Sequence, residues 1–312
     1  MTYDKQSARI VYMGTPEISA TVLKGLLDEG FQVVGVVTNP DKPVGRKNVL
    51  TPSPVKSLAL SYGIPVFQPA KIRLENDFLQ ELKPDVLVTM AYGQIVPQKV
   101  LDCPARGCIN LHGSLLPALR GAAPIQRSID LGMEKTGITL MEMVAAMDAG
   151  RMYDKIAVDI LPEDNYTSLA EKLAIAARDL IVKDLIPYLN GELPGIPQEE
   201  SLVTFADKIR PEDEKLDFSW PAKRLLNRIR ALSLTPGGYA YLDGLKLKVL
   251  RAHVVEGIDA APGTIVKAHK GFEVATGEGV LSLDEVQLQG KKAMDGKSFV
   301  NGMRDLLGKT LQ

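Results

Sequence analysis

The sequence predicts a doubly wound α/β domain followed by a small β-barrel, and three observations carry that expectation. Short β-branched runs alternate with helical patterns of ten or more residues through the first half, the signature of crossover units and a parallel sheet. Residues 190–201, NGELPGIPQEES, gather two glycines, two prolines and three glutamates, the composition of an extended connector. Beyond that stretch, short alternating strands with closely spaced turn signals suggest a barrel. A length of 312 residues is enough for two cores.

The elements follow in order. RIVYM (9–13) reads as a buried first strand, with Thr15 as N-cap, Pro16 at the first helical position and Gly30 closing a helix whose apolar residues include Ile18, Val22, Leu26 and Leu27. FQVVGVVT (31–38) is the second strand. Ser53 and Pro54 repeat the cap-plus-proline start, and Gly63 ends that helix before IPVFQ. DVLVTM (85–90), GCINL and GITLMEM supply further strands, the last two separated by a short helix over about 124–131. A longer helical pattern spans 165–190. In the second half, SWPAKRLLNRIRAL is one helix with Pro221 near its start, and YLDGL and TGEG mark turns between strands such as LKLKVLRAHV and GFEVATGEGVLSL.

Composition narrows the function classes. Hydrophobic residues at 45% and charged residues at 24% are ordinary for a soluble protein, and no stretch approaches the roughly 20 apolar residues that a bilayer crossing needs. The opening MTYDKQSARIVYMG has neither an apolar signal region nor transit-peptide character, so the expected address is cytoplasmic. Cys103 and Cys108 stand five apart with no second pair, which supports neither a disulfide framework nor a zinc site, and no metal is expected. Net charge is −1, but the balance shifts along the chain: 17 Lys and Arg face 14 Asp and Glu from residue 201 onward, against 20 and 24 before it. MGTPEIS, after the first strand, matches neither G-x-G-x-x-G nor the P-loop pattern, so a dinucleotide cofactor has weak support.

The stretch that carries chemistry is INLHGSLLPALRGAAPIQ (109–126). Strand alternation puts Asn110 and His112 on one face, at the carboxyl end of the strand, where open α/β sheets bind their ligands. A buried histidine hydrogen-bonded to backbone is the competing reading. Asp148, in VAAMDAGRM, lies in a loop that could reach the same rim, or it is a turn-former. No nucleophile elbow accompanies them, so the set can hold a carbonyl with donors and manage one proton. Residues 41–48, DKPVGRKN, are either a solvated loop or an anion-binding arm.

NLHGSLLPALRGAAPIQ, followed by TGITLMEM and MDAG, resembles the signature of the folate-dependent formyltransferases, and RGAAPIQ is similar to the methionyl-tRNA formyltransferase family rather than to relatives acting on purine precursors or amino sugars. MGTPEIS, TNPDKPVGR, TPSPVK, MAYGQIVP, APGTIV, VATGEGVLSL and GKKAM extend the resemblance over nearly the whole chain. It implies a Rossmann-like formyltransferase domain with a parallel-rich sheet over 1–190, a linker over 191–208, and an OB-like C-terminal barrel over 209–312 that contacts tRNA. It implies 10-formyltetrahydrofolate as co-substrate and the α-amine of methionine on initiator tRNA as acceptor, with translation initiation as the setting.

By position in the motifs, the resemblance makes Asn110, His112 and Asp148 the catalytic trio. Ser114, Leu115, Leu116 and Pro117 would form part of the folate site, and Met90, Ala91, Tyr92, Gly93, Gln94 and Ile95 would line the pterin pocket. Arg46 and Lys47 would approach the tRNA acceptor end. Asn110 and His112 would donate to the formyl oxygen as charge grows there, and Asp148 would orient the imidazole and take up the amine proton, directly or through water. Two other readings keep these residues: formyl transfer to a small amine or to water, and a folate-binding or RNA-binding module with a silent site. A monomer is expected.

Overall fold

The computed structural model describes residues 2–45, 48–258 and 260–312. They form two compact units. The first gathers Met1–Gly121, Lys135–Asp159 and Ala170–Ala206, and the second gathers Ala122–Glu134, Ile160–Leu169 and Asp207–Gln312.

The first unit opens with β1 (Ile10–Gly14), α1 (Glu17–Asp28) and β2 (Val33–Val37). A two-stranded hairpin, β3 (Lys42–Val44) and β4 (Val49–Thr51), precedes α2 (Pro54–Ser61) and β5 (Val66–Phe67). Then come α3 (Phe78–Leu82), β6 (Val86–Met90), α4 (Gln98–Leu101) and β7 (Cys108–His112). The helix α5 (Pro124–Asp130) is followed by β8 (Lys135–Glu142), β9 (Met152–Asp159) and α6 (Tyr166–Leu189).

The seven-stranded sheet has the order β5-β2-β1-β6-β7-β8-β9. From β5 to β7 neighbouring strands are parallel, while β7–β8 and β8–β9 are antiparallel. The sheet is therefore parallel-rich and mixed, because β8 runs against β7 and the run 152–159, which lacks the apolar pattern of the inner strands, folds back on it as β9. Every residue of β1 and β6 is buried, which explains why both read as unbroken apolar runs rather than alternations. Val11, Met13, Val37, Leu79, Leu87 and Val100 form one cluster of this core.

Caps behave unevenly. Ser53 accepts from the Lys56 N–H as the spacing predicts, ahead of Pro54 at the first helical position. Thr15 does not cap α1: its hydroxyl donates instead to the Tyr92 carbonyl at 3.0 Å, and the N-cap position falls on Pro16. Gly14 is required there by crowding, since a Cβ would lie 1.7 Å from Ser19 Oγ and 2.9 Å from the Met90 carbonyl oxygen.

The second unit joins α5 and residues 160–169 to α7 (Ala222–Leu232), β10 (Gly238–Leu242), β11 (Leu245–Val255), β12 (Ile265–Lys267), β13 (Glu273–Ala275), β14 (Val280–Leu288), β15 (Met294–Asp295) and α8 (Gly296–Asn301). The strand order is β10-β11-β14-β13-β12, with β15 on β14. Asp243 and Gly244, both at positive φ, make the tight turn between β10 and β11 that YLDGL predicts. Residues 308–312 bridge the two ends of the path. Gly308 N–H donates to Ile265 O at 2.9 Å and Leu311 N–H to Gly263 O at 2.8 Å, while Tyr241 and Gln312 exchange backbone bonds of 2.7 and 2.9 Å. Leu225, Ile229, Leu247, Val249, Phe272 and Leu281 fill the interior.

The helix α5, which the sequence pattern assigns to the first half, packs with this unit through charge. Arg228 on α7 grips Asp130 with Nε–Oδ1 2.7 Å and Nη2–Oδ2 2.9 Å, and Arg127 Nη2 reaches Asp213 Oδ2 at 2.9 Å. The Arg224 and Arg228 guanidiniums stand 3.8 and 5.2 Å from the centre of the Trp220 ring.

Two outcomes follow for stability. Leu311→Ala, at a residue 3% exposed, should cost the second unit about 2–4 kcal/mol in denaturant unfolding. In the first unit, burial pushes the Asp184 carboxyl up to about 6 from 3.8, helped by Asp154, and Asp184 Oδ2 finds no partner among the described residues. A folded carboxyl that holds its proton more tightly than the unfolded one gives stability that is present below pH 3.8 and lost as pH rises through about 6. Asp184→Asn should therefore be more stable than the parent at pH 7.5 by about 1–3 kcal/mol, with the difference shrinking toward pH 4. Chemical denaturation at both pH values checks this, and a pH-independent difference would contradict it.

Candidate active site

The site grows from β7. Its parallel register with β6 sets Thr89 beside Asn110, and its antiparallel register with β8 sets Met141 opposite Asn110 and Thr139 opposite His112. Alternation along the strand gives Asn110 and His112 a common face. Asn110 is half-buried and its side-chain amide makes no hydrogen bond within the protein among the described residues, so both amide hydrogens are available.

His112 is 5% exposed. Its Nε2 lies 2.8 Å from the Leu119 carbonyl oxygen, and since a carbonyl only accepts, Nε2 carries the hydrogen. Nδ1 faces Asp148 Oδ2 at 3.7 Å, beyond direct hydrogen-bond range and close enough for one flanking water to bridge. The same Oδ2 accepts from the Gly121 N–H at 2.9 Å. Asp148 sits at φ +49°, a conformation that few side chains other than Asn and Asp adopt, which turns the loop between β8 and β9 back over the strand. The two readings of Asp148, turn-former and rim carboxylate, thus describe one residue.

The loop after His112 is held from several sides. Thr139 Oγ1 donates to Ser114 O at 2.7 Å and accepts from Leu116 N–H at 3.0 Å, Ser114 Oγ donates to Ala118 O at 2.6 Å, and Lys155 Nζ donates to Leu116 O. Burial shields Lys155 and lowers its pKa. Ser114 and Leu116 point inward and are 1% exposed, whereas Leu115 and Pro117 are half-buried. Gly121 has φ +121°, and a Cβ there would sit 2.8 Å from the Ala206 carbonyl oxygen, so the close approach requires glycine.

Met90 to Ile95 leave the carboxyl end of β6 with alternating exposure. Met90 and Tyr92 are buried, Ala91, Gly93 and Ile95 are exposed, and Ile95 reaches 87%. Gln94 is half-buried and engaged inside the protein: Nε2 donates to Asn39 Oδ1 at 2.8 Å and Pro69 O at 3.1 Å, and Oε1 accepts from Ile72 N–H at 2.9 Å. Burial pushes the Tyr92 phenol well above its ordinary range, with the Glu75 carboxylate adding to the rise. The open edge offered to a ligand is thus small residues and backbone. Cys108, at the start of β7, is inert as a nucleophile, because burial pushes its thiol up to about 12. Arg46 and Lys47 lie outside the described residues.

Sequence reading missed the segment that backs the site. Arg120, 5% exposed, gives Nε to Gln198 Oε1 at 2.9 Å and Nη2 to Glu200 Oε1 at 2.8 Å, and Thr204 Oγ1 accepts from Leu119 N–H at 2.9 Å. These partners lie about eighty positions away in sequence, and the only local signal was an arginine next to a glycine in RGAAP. Among the described residues no helix is long and apolar enough to cross a membrane.

Comparison with known proteins identifies the family. The formyl transferase family model matches residues 8–185, and the model of the formyl transferase C-terminal domain matches 208–304. Methionyl-tRNA formyltransferase of Bacillus velezensis is 46% identical over 309 residues, covering 96% of this chain and 98% of that protein. The Streptococcus pyogenes protein of the same name is 45% identical over 299 residues, covering 95% and 96%. Among solved structures, methionyl-tRNA formyltransferase from Clostridium thermocellum aligns with TM-score 0.57 at 16% identity, over 93% of this chain and 100% of that one. HypX from Aquifex aeolicus, in complex with tetrahydrofolic acid, aligns with TM-score 0.68 at 15% identity, over 96% of this chain and 48% of that one. These structural likenesses speak to the fold, and the near-full-length sequence matches to descent: the chain belongs to the methionyl-tRNA formyltransferase family of formyl transferases.

Proposed function

We propose that the chain transfers a formyl group from 10-formyltetrahydrofolate to the α-amine of methionine carried by initiator tRNA, with Asn110, His112 and Asp148 at the reacting atoms. The observation that carries the chemistry is the grouping of an Asn110 amide that has no partner among the described residues with a His112 ring whose Nδ1 faces Asp148. Sequence identity near 45% along nearly the whole chain to proteins named for this reaction supports the choice of acceptor.

The amine attacks the formyl carbon as its neutral form, which is well represented at physiological pH because a terminal α-amine titrates near 7.7–8.0. As the carbon becomes tetrahedral, charge accumulates on the formyl oxygen. Asn110 Nδ2 meets that oxygen with a hydrogen bond that costs the protein none of its own. His112 offers its Nε2 hydrogen in exchange for the bond to Leu119 O. The proton leaving the amine passes to Asp148, directly or through a water beside the 3.7 Å gap, and is then available to the departing folate nitrogen.

The donor substrate fits the exposed edge of Ala91, Gly93 and Ile95, where backbone groups and an apolar side chain face outward, together with Leu115 and Pro117. Met90, Tyr92, Gln94, Ser114 and Leu116 shape that edge from beneath. Arg46 and Lys47 are assigned to the tRNA acceptor end on their motif position. The protein is assigned to the cytoplasm, where charged initiator tRNA is used, and to a monomeric state.

Asn110→Ala should lower kcat by about 10²–10³, as loss of one preorganised oxyanion donor does, with KM for either substrate changing little. His112→Ala and Asp148→Asn should lose at least as much. Steady-state formylation of methionyl-tRNA measures all three, and near-parental turnover in any of them would remove that residue from the mechanism. Arg46→Ala should raise KM for tRNA without raising that for the folate, and should reduce the salt dependence of tRNA binding by about one unit of log–log slope. Equal effects on both substrates would refute the loop assignment.

A further inference from the structure

We propose that Gln198, together with Thr204, is a positioning residue that sets the spacing of the His112–Asp148 pair. The inference rests on the catalytic reading above and adds to it a segment of the chain far from the motif.

Gln198 is 9% exposed and puts both amide hydrogens and its carbonyl oxygen on the site's supports. Its Nε2 donates to Asp148 O at 2.7 Å and to Gly150 O at 2.9 Å, and its Oε1 accepts from Arg120 Nε at 2.9 Å. The loop it grips is exposed over residues 144–147, and Asp148 takes a left-handed backbone conformation with its carboxylate held by the Gly121 N–H. A buried amide with both hydrogens on two carbonyls fixes where that turn stands, and so where the Asp148 carboxylate points.

The other arm of the pair is held six residues later by the same segment. Leu119 O accepts the His112 Nε2 hydrogen, and Leu119 N–H donates to Thr204 Oγ1 at 2.9 Å. Arg120 N–H donates to Thr204 O at 2.9 Å, and Ala206 N–H donates to Arg120 O at 2.7 Å. Residues 198–206 thus anchor the carbonyl that holds the histidine in the resting site and the turn that aims the aspartate, with Arg120 tying the two anchors together through its Nε on Gln198 and its backbone on Thr204 and Ala206. Neither Gln198 nor Thr204 touches a reacting atom. Their effect is on the 3.7 Å Nδ1–Oδ2 separation. Misplacement on the order of 1 Å in such a pair costs about 10²-fold in rate.

The test measures kcat, both KM values and the pH dependence of kcat for methionyl-tRNA formylation in Gln198→Leu, Thr204→Val and Thr204→Ser. Far-UV circular dichroism and thermal unfolding serve as the fold check. Gln198→Leu and Thr204→Val should each lose about 10- to 100-fold in kcat with either KM within about threefold of the parent, and Thr204→Ser, which keeps the acceptor oxygen, should recover most of the rate. In a His112→Ala background, Gln198→Leu should add less than about threefold, because there is no longer an imidazole for Asp148 to serve. Parental kcat and pH profile in a folded Gln198→Leu, or the same fold-loss with and without His112, would overturn the positioning role while leaving the catalytic assignment intact. If Gln198→Leu does not fold, the Thr204 pair decides: equal rates in Thr204→Val and Thr204→Ser overturn the proposal. Parental turnover in His112→Ala would overturn the catalytic reading, and this inference with it.

Discussion

The site depends on β7 pairing in two senses at once, parallel with β6 and antiparallel with β8. The parallel side levels the end of β7 with the end of β6, which places Asn110 and His112 near the rim where the 90–95 edge emerges. The antiparallel side sets Thr139 opposite His112, and Thr139 then braces the loop that follows. Because β8 runs the other way, the chain leaving it must double back to bring an acid to His112, and the left-handed Asp148 makes that return. A wholly parallel sheet would have delivered the next loop to the rim directly, with no need for this turn or for a segment to hold it.

What the sequence made legible was local. Continuous apolar runs marked β1 and β6, a Ser-Pro pair marked the start of α2, and period two placed Asn110 with His112. What it hid was long-range. Thr15 looks like a helix cap, yet its hydroxyl is drawn to Tyr92, a partner 77 residues away. The run 152–159 alternates exposed and half-buried residues at the sheet edge, so it lacks the apolar density that revealed the inner strands. In the candidate site the motif residues were readable because a single strand and one loop carry them, whereas Gln198 and Thr204 sit in a stretch whose prolines and glycines read as connector.

The buried arginines show how charge organises each unit. Arg120 and Arg228 are both nearly inaccessible, and each has bidentate or multiple acceptors on groups brought in from elsewhere in the chain. In the Arg228–Asp130 pair, where both side chains are 11% exposed, removing one partner strands the other, a penalty of about 3–5 kcal/mol for a buried ion. That dependence explains why the short α5 keeps company with α7 rather than with the strands that flank it in sequence. It also means that the sequence interval from His112 to Asp148 runs through both compact units, since residues 122–134 belong to the second. The two units are therefore interleaved along the sequence rather than merely consecutive.

The central claim is that formyl transfer is directed to an amine on tRNA. It is tested most directly by supplying 10-formyltetrahydrofolate to the purified protein with methionyl initiator tRNA, free methionine and water present together, and following the formyl group. The account predicts formylmethionyl-tRNA as the dominant product, with free methionine and formate negligible as fates of the formyl group. Turnover of the folate to formate or formylmethionine, with tRNA left unmodified, would contradict it.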